Sequence, residues 1–260
     1  IDFCYKIFKI KIMNLIEKLK KIEKIFTEIS SKRPLSTGEI NELKKSLKVE
    51  FTYNSNAIEG STLTRGETKL VIEDGLTIAG KTIREINETL NHNDLFEILY
   101  KAVKEKIQIN EKFIFNIHKA VLKNIDDENA GVYRKIQVYI SGEKQLPPKP
   151  TSIQKQMQDL LSWFEQEKNK ISPTELAAKF HYKFVKIHPF IDGNGRTVRI
   201  LINIILMQKN YPLIIIPNIR RAEYISTLNS KSSEENFLEF FADTVYENLK
   251  DYLRMISPDT

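Results

Sequence analysis

The sequence predicts a mainly α-helical protein. Apolar residues recur at helical spacing along most of the chain, and helix-start signals precede several of these windows. Only one short stretch alternates with the period of a strand. The 260 residues suffice for a substantial core, and 41% hydrophobic with 28% charged residues is a globular balance.

Taken in order, Leu15, Leu19, Ile22, Phe26 and Ile29 mark a first helix. "KRPLSTGE" breaks it, and Ser36 with Glu39 caps a second helix carrying Ile40, Leu43, Leu47 and Phe51. Gly60 is a stop signal, Thr64 with Glu67 is a further capping box, and "VIEDGLTIAGK" reads as a turn. Helical patterns resume through "REINETLNHNDLFEILYKAV" and "NEKFIFNIHKAVLKNI". In "GVYRKIQVYISGEKQLPPKP", Val138 and Ile140 alternate with Gln137, Tyr139 and Ser141, which predicts a short β-hairpin or flap. Helix follows from Ile153 to Glu167. Ser172, Pro173 and Glu175 then open a helix with Leu176, Phe180, Phe184 and Ile187 on one stripe, ending near His188-Pro189. After Gly195, "TVRILINIILM" is apolar around most of its circumference and predicts a central, buried helix.

No run approaches the ~18 apolar residues of a spanning helix, so no membrane association is expected. The start "IDFCYKIFKIKIMN" is a poor signal peptide, and Met13 is the expected native start, with residues 1–12 an upstream extension. The single cysteine, Cys4, excludes an intramolecular disulfide and reads as incidental; a reducing, cytoplasmic setting is the default. Net charge is +6, and residues 1–50 carry 12 Lys and Arg against 7 Asp and Glu. This excess reads as a solvated helix face, and nucleic acid is not an expected partner. His92, His118 and His181 read as packing or surface residues, and Trp163 as core.

The chemistry concentrates in "HPFIDGNGRTVR", residues 188–199. A glycine turn feeds a helix N-terminus, where free N–H groups and the helix dipole favour an anion. Arg196 and Arg199 add permanent charges suited to phosphate oxygens. Asp192 beside such an anion site suits Mg²⁺, which needs few protein ligands. His188 at the loop entrance suits proton abstraction near neutral pH. Together these residues describe transfer of a phosphate-containing group onto a hydroxyl.

The stretch resembles the Fic (filamentation induced by cAMP) family motif His-x-Phe-x-(Asp/Glu)-Gly-Asn-Gly-Arg-x-x-Arg at every specified position. The resemblance extends over roughly residues 50–230, including "TLTRGE", "AGVYRKIQVYISG" with the two prolines, and the segment around Tyr224. It implies a Fic-type helical bundle with a short β-hairpin flap that positions a target near residues 136–146. It divides the chain into an N-terminal helical region (1–50), a core (51–230) and a C-terminal helical extension (231–260). The implied activity is transfer of AMP from ATP, with Mg²⁺, to a protein Ser, Thr or Tyr hydroxyl. By the same resemblance His188 is the base, Phe190 anchors the loop, and Asp192 holds Mg²⁺. Gly193, Asn194, Gly195 and Arg196 cradle the phosphates, Arg199 binds the γ-phosphate, and Tyr224 faces adenine. Gly195 favours AMP transfer, since related Doc-type kinases carry Lys there. The flap sequence "GEKQLPP" departs from the family's usual Gly-Ser-x-His-x-Pro-Pro, which leaves target docking open.

"SNAIEG", residues 55–60, matches a second family motif, (Ser/Thr)-x-x-x-Glu-(Gly/Asn), that marks an inhibitory helix. Ser55 and Glu59 share a helix face. The resemblance implies that Glu59 pairs with Arg199 and blocks the γ-phosphate position. A de-AMPylase or bifunctional enzyme at the same site is the alternative; from another class, a non-catalytic nucleotide- or DNA-binding regulator. Intact His188 argues against a dead sensor. A homo-oligomeric state is compatible with the sequence.

Overall fold

The computed structural model describes residues 2–32, 35–140 and 145–257, with side chains from residue 13 onward. The helices are α1 (Asp2–Ser31), α2 (Thr37–Glu59), α3 (Arg65–Asp74), α4 (Ile83–Lys104), α5 (Glu111–Leu122), α6 (Pro150–Glu167), α7 (Pro173–Ile187), α8 (Asn194–Met207), α9 (Arg221–Leu228) and α10 (Glu234–Met255), with a 3₁₀ turn at Asn218–Arg220. No described helix is long and apolar enough to cross a membrane. The side chain of Cys4 lies outside the described residues.

The bundle is organised around α8. Its Val198, Ile200, Leu201, Ile202, Ile204 and Leu206 are all buried. It packs on α7, α4, α5 and α2, while α7 is also covered by α6 and α10, and α1 lies along α10. Burying each such aliphatic side chain stabilises the fold by roughly 1.5–3 kcal/mol. Asn203, a buried amide in the middle of α8, is saturated. Its Nδ2 donates to the carbonyls of Arg199 and Ile214 (both 2.9 Å), and its Oδ1 accepts the Ile214 N–H (2.7 Å).

The local signals set the helix ends. Both expected capping boxes form, at Ser36/Glu39 and Thr64/Glu67, and a third forms at Thr82/Glu85. Gly60 closes α2 in a left-handed conformation. α2 runs unbroken across residue 50. Its first half is largely exposed, including Ile40, while its second half buries Val49, Phe51 and Ile58 together with Thr52, Asn54, Ser55 and Asn56.

Two expectations are corrected. The turn placed at "VIEDGLTIAGK" starts later, because α3 continues to Asp74 and buries Val71. The β-hairpin flap is not formed: the stretch around Val138 and Ile140 makes no strand among the described residues, and Ser141 to Lys144 lie outside them. Pro147 and Pro148 on the returning arm offer no N–H to a ladder. Side chains join the arms instead: Gln137 Nε2 donates to the Pro147 carbonyl (3.0 Å) and Arg134 Nη2 to the Pro148 carbonyl (2.6 Å).

Candidate active site

The loop between α7 and α8 is locked from inside. Asn194 Oδ1 accepts the Phe190 N–H (3.0 Å), and its Nδ2 donates to the Phe190 carbonyl (2.9 Å). The Asn194 side chain therefore serves the loop, and a ligand at this residue meets its backbone. Phe190 is fully buried and stacks on His118 at 3.6 Å between near-parallel rings. His118 Nδ1 accepts the Gly131 N–H (2.9 Å), which makes Nε2 the protonated nitrogen and the donor to the Asp192 carbonyl (2.9 Å). Gly193 has φ +74°, and a Cβ there would lie 2.9 Å from Val121 Cγ1, so the turn has room for no larger residue. α8 begins at Asn194, so the N–H groups of its first turn lack intrahelical acceptors.

His188 terminates α7 with φ 49° and ψ 61°, a strained conformation for a residue with a side chain. Its Nδ1 is buried, leaving Nε2 for a substrate. Desolvation, and then the nearby Arg134 cation, lower its pKa to about 4, so the imidazole is neutral at physiological pH and able to accept a proton.

Asp192 accepts its neighbour's N–H, from Gly193, at 2.6 Å. It pairs with Arg84 of α4 and lies 3.4 Å from Arg196 Nη2. Burial opposes its ionisation, but Arg196, the Gly193 N–H and Arg84 outweigh that and hold its pKa below the usual value. Arg196 itself is buried, with Nη1 3.1 Å from Glu88 Oε1, a charge contact without hydrogen-bond alignment. Glu88 also accepts from Arg84 Nε (3.1 Å).

Arg199 is 1% exposed. Its Nε donates to Ser55 Oγ (2.9 Å), and its Nη2 donates to the Ser55 carbonyl (2.8 Å) and to Glu59 Oε1 (2.7 Å). Burial works against the Arg199 charge, but the Glu59 carboxylate more than restores it and the pKa is raised. Glu59 is held over Gly195, where a Cβ would come within 2.2 Å of Glu59 Oε1. Tyr224 is buried: its hydroxyl lies 2.9 Å from His181 Nε2 and receives a long 3.5 Å contact from Arg199 Nη1. The end of α2 is fastened by Arg221, whose Nε donates to the Ile58 carbonyl (2.6 Å), and by Asn218, whose N–H donates to Asn54 Oδ1 (2.8 Å).

Of these groups, Glu59, His188, Asn194, Gly195 and Tyr224 line one cleft of about 840 Å³, together with Pro147 and Leu228. That volume suits a nucleotide-sized ligand. The structure thus brings the predicted residues of α2, the 188–199 loop and Tyr224 together. Sequence reasoning missed Arg84, Glu88, Arg134 and Arg221, and took His118 and His181 for packing or surface residues without their polar roles. Arg134 lies within the stretch quoted for its family resemblance; the others carry no signal beyond charge or helical position.

Residues 108–206 match the Fic/DOC family. The chain is 36% identical over 221 residues to protein adenylyltransferase Fic of Drosophila melanogaster, which covers 84% of this chain and 44% of that protein. Its counterpart in Drosophila grimshawi is 36% identical over 217 residues, at 82% and 44% coverage. The chain thus spans less than half the length of these curated relatives. Among solved structures, a fragment of C. elegans Fic-1 superposes with a TM-score of 0.89 at 29% identity, covering 98% of this chain and 77% of that one. A single-substitution variant of that fragment is 30% identical, with a TM-score of 0.79 and coverage of 92% and 72%. With the motif residues assembled on one loop and relatives matching along nearly the whole chain, the protein belongs to the Fic/DOC family.

Proposed function

We propose that this chain is an autoinhibited protein adenylyltransferase, which transfers AMP from ATP to a Ser, Thr or Tyr hydroxyl of a protein. The observation that carries the reading is the buried Arg199, whose only carboxylate partner among the described residues is Glu59, at the rim of the cleft that also holds neutral His188. The target oxygen attacks the α-phosphorus as its proton passes to His188 Nε2. The bond from that phosphorus to the bridging oxygen breaks, and pyrophosphate leaves. The N–H groups opening α8 and Arg196 hold phosphate oxygens, and Arg199 holds the γ-phosphate once Glu59 has left it. The Tyr224 hydroxyl backs Arg199 rather than an adenine end, and the target docks near residues 136–146.

No cluster of three or more His, Cys, Asp or Glu residues that could hold a metal occurs among the described residues. A lone carboxylate at an anion site fits Mg²⁺ shared with phosphate oxygens and water, with Asp192 as the protein ligand. The ion would neutralise phosphate charge. The setting is cytoplasmic in this reading.

The test compares AMP transfer from labelled ATP with Mg²⁺ for the native protein, Glu59→Gly, and Glu59→Gly with His188→Ala, read first as self-modification. Weak, strong and absent signals, in that order, support the reading. A Glu59→Gly protein that binds ATP yet modifies neither itself nor proteins of a lysate overturns it. A second reading rests on Glu59 lining the cleft beside His188 with its side chain 37% exposed. That carboxylate is positioned to orient water for removal of AMP from a modified target. Release of AMP from a protein modified by Glu59→Gly, on addition of the native chain, tests it.

A further inference from the structure

Arg134 sits between α5 and the flap and is 2% exposed. Among the described residues no carboxylate pairs with it, and burial lowers its pKa. All its side-chain hydrogen bonds go to main-chain carbonyls. Nε donates to His188 O (2.8 Å), Nη1 to Ile136 O (3.1 Å) and Nη2 to Pro148 O (2.6 Å). Its own N–H donates to Pro189 O (3.0 Å).

These acceptors belong to three separate pieces of chain. Ile136 is the outgoing root of the flap and Pro148 its returning root. His188 and Pro189 form the kink at which α7 gives way to the loop. The left-handed backbone of His188 turns its carbonyl out of the helix, and Arg134 takes that carbonyl up. The flap roots have no ladder between them, so the guanidinium is their main joint, with Gln137 on Pro147 as the second. His118 ties the same segment to the far end of the loop, from Gly131 to Asp192.

We propose that Arg134 is a positioning residue for the transfer reaction. Its fork makes the two flap roots and the His188 backbone one rigid unit, so that a hydroxyl presented by the flap meets the His188 imidazole in register. The inference rests on the reading of His188 as the base and of the flap as the docking element. Only a planar guanidinium reaches three carbonyls diverging from one point; a lysine keeps the charge but loses the fork.

The experiment uses the full chain carrying Glu59→Gly, with Arg134→Met and Arg134→Lys added separately. Folding is checked by circular dichroism and thermal midpoint. Three quantities are read: the self-modification rate at saturating ATP, the Kd for ATP, and the rate of tryptic cleavage after Lys135 and Lys144. The expected result for Arg134→Met is a transfer rate lower by about tenfold or more, since misplacement by about 1 Å can cost about 10²-fold. The Kd for ATP should stay within about twofold, and flap cleavage should be faster. Arg134→Lys should fall between Arg134→Met and the parent. A folded Arg134→Met variant with the parent's transfer rate overturns the proposal. So does a loss of rate matched by an equal loss of ATP binding, which marks general damage. If Arg134→Met does not fold, Arg134→Lys decides by the same criteria. If the Glu59→Gly parent transfers no AMP, the functional reading has failed instead. The proteolysis arm then stands alone, and equal flap cleavage with and without Arg134 refutes the joint.

Discussion

If Glu59 blocks the γ-phosphate site as proposed, replacing it with Ala should give the protein a preference for ATP over ADP that the native chain lacks. In the native chain Arg199 gives its Nη2 to Glu59 at 2.7 Å, so the γ-phosphate has no cation to meet. Stripping a partner from a buried ion pair costs roughly 3–5 kcal/mol in general. Here Glu59 is 37% exposed, and Arg199 keeps both contacts to Ser55, so a loss of about 1–3 kcal/mol is the discounted figure. In a chain of this size that lowers the melting temperature by roughly 2–4 °C per kcal/mol. The γ-phosphate then restores what was removed: a hydrogen bond to a charged group contributes about 1.5–3 kcal/mol, or roughly 10–100-fold in Kd. The assay is calorimetric titration of ATP and ADP with Mg²⁺, in a His188→Ala background to prevent turnover. Native protein should bind the two within a few-fold, and Glu59→Ala should prefer ATP by at least about tenfold. A native chain that already prefers ATP, or a Glu59→Ala chain that does not, refutes the account of Arg199 as a blocked γ-phosphate site.

Burial also sets a pH dependence. Desolvation is the leading cause that lowers His92 to about 3, His118 and His188 to about 4, and His181 well below its usual value, so all four are neutral when folded but protonate near pH 6.5 when unfolded. Their contribution is full above pH 6.5 and declines as pH falls from there toward 4, by up to about 1.4 kcal/mol per pH unit for each histidine; urea midpoints flat from pH 7 to 8 and falling steeply below 6.5 are expected, and a midpoint that holds at pH 5 contradicts it. Gly193→Ala adds a Cβ at φ +74° against Val121 and His118 and should destabilise the chain by about 1–3 kcal/mol, read from the denaturant midpoint; an unchanged midpoint would show that the loop relaxes at no cost.

What could be seen in the sequence divides by distance along the chain. Capping boxes span three residues, so Ser36/Glu39 and Thr64/Glu67 were legible, and Thr82/Glu85 was equally so though unread. The core helix α8 announced itself by an almost unbroken apolar run. The flap did not form strands because alternation speaks only for one arm; the other carries two prolines that cannot donate. Glu59 and Arg199 lie 140 residues apart, and only a family pattern links them in advance. Arg84 and Asp192, 108 apart, have no such pattern, and a half-exposed arginine on α4 looks like any solvated residue. His118 and Arg134 are harder still. Their partners are backbone groups of Gly131, Asp192, His188 and Pro148, and a carbonyl leaves no mark on the sequence.

If Glu59 is the brake proposed above, the charges of the site favour Arg199 as the place for it. Three arginines, Arg84, Arg196 and Arg199, face three carboxylates, Glu88, Asp192 and Glu59. A nucleotide can take an arginine only from a carboxylate that has somewhere else to turn. Glu88 is buried and touches both Arg84 and Arg196, so it stays compensated when one of them leaves. Asp192 holds Arg84 and Arg196 and keeps a backbone N–H besides, so it can exchange one cation for another without becoming a bare charge. Glu59 has Arg199 alone among the described residues, and Arg199 has no other anion. A γ-phosphate arriving there meets a carboxylate that neither shares nor exchanges, so the two anions exclude each other. On the proposed reading, the 2.7 Å contact denies the γ-phosphate its arginine without occupying Arg196 or Asp192. The hydrogen bonds from Asn218 and Arg221 that fasten the end of α2 are the ones that releasing Glu59 in this reading would have to break.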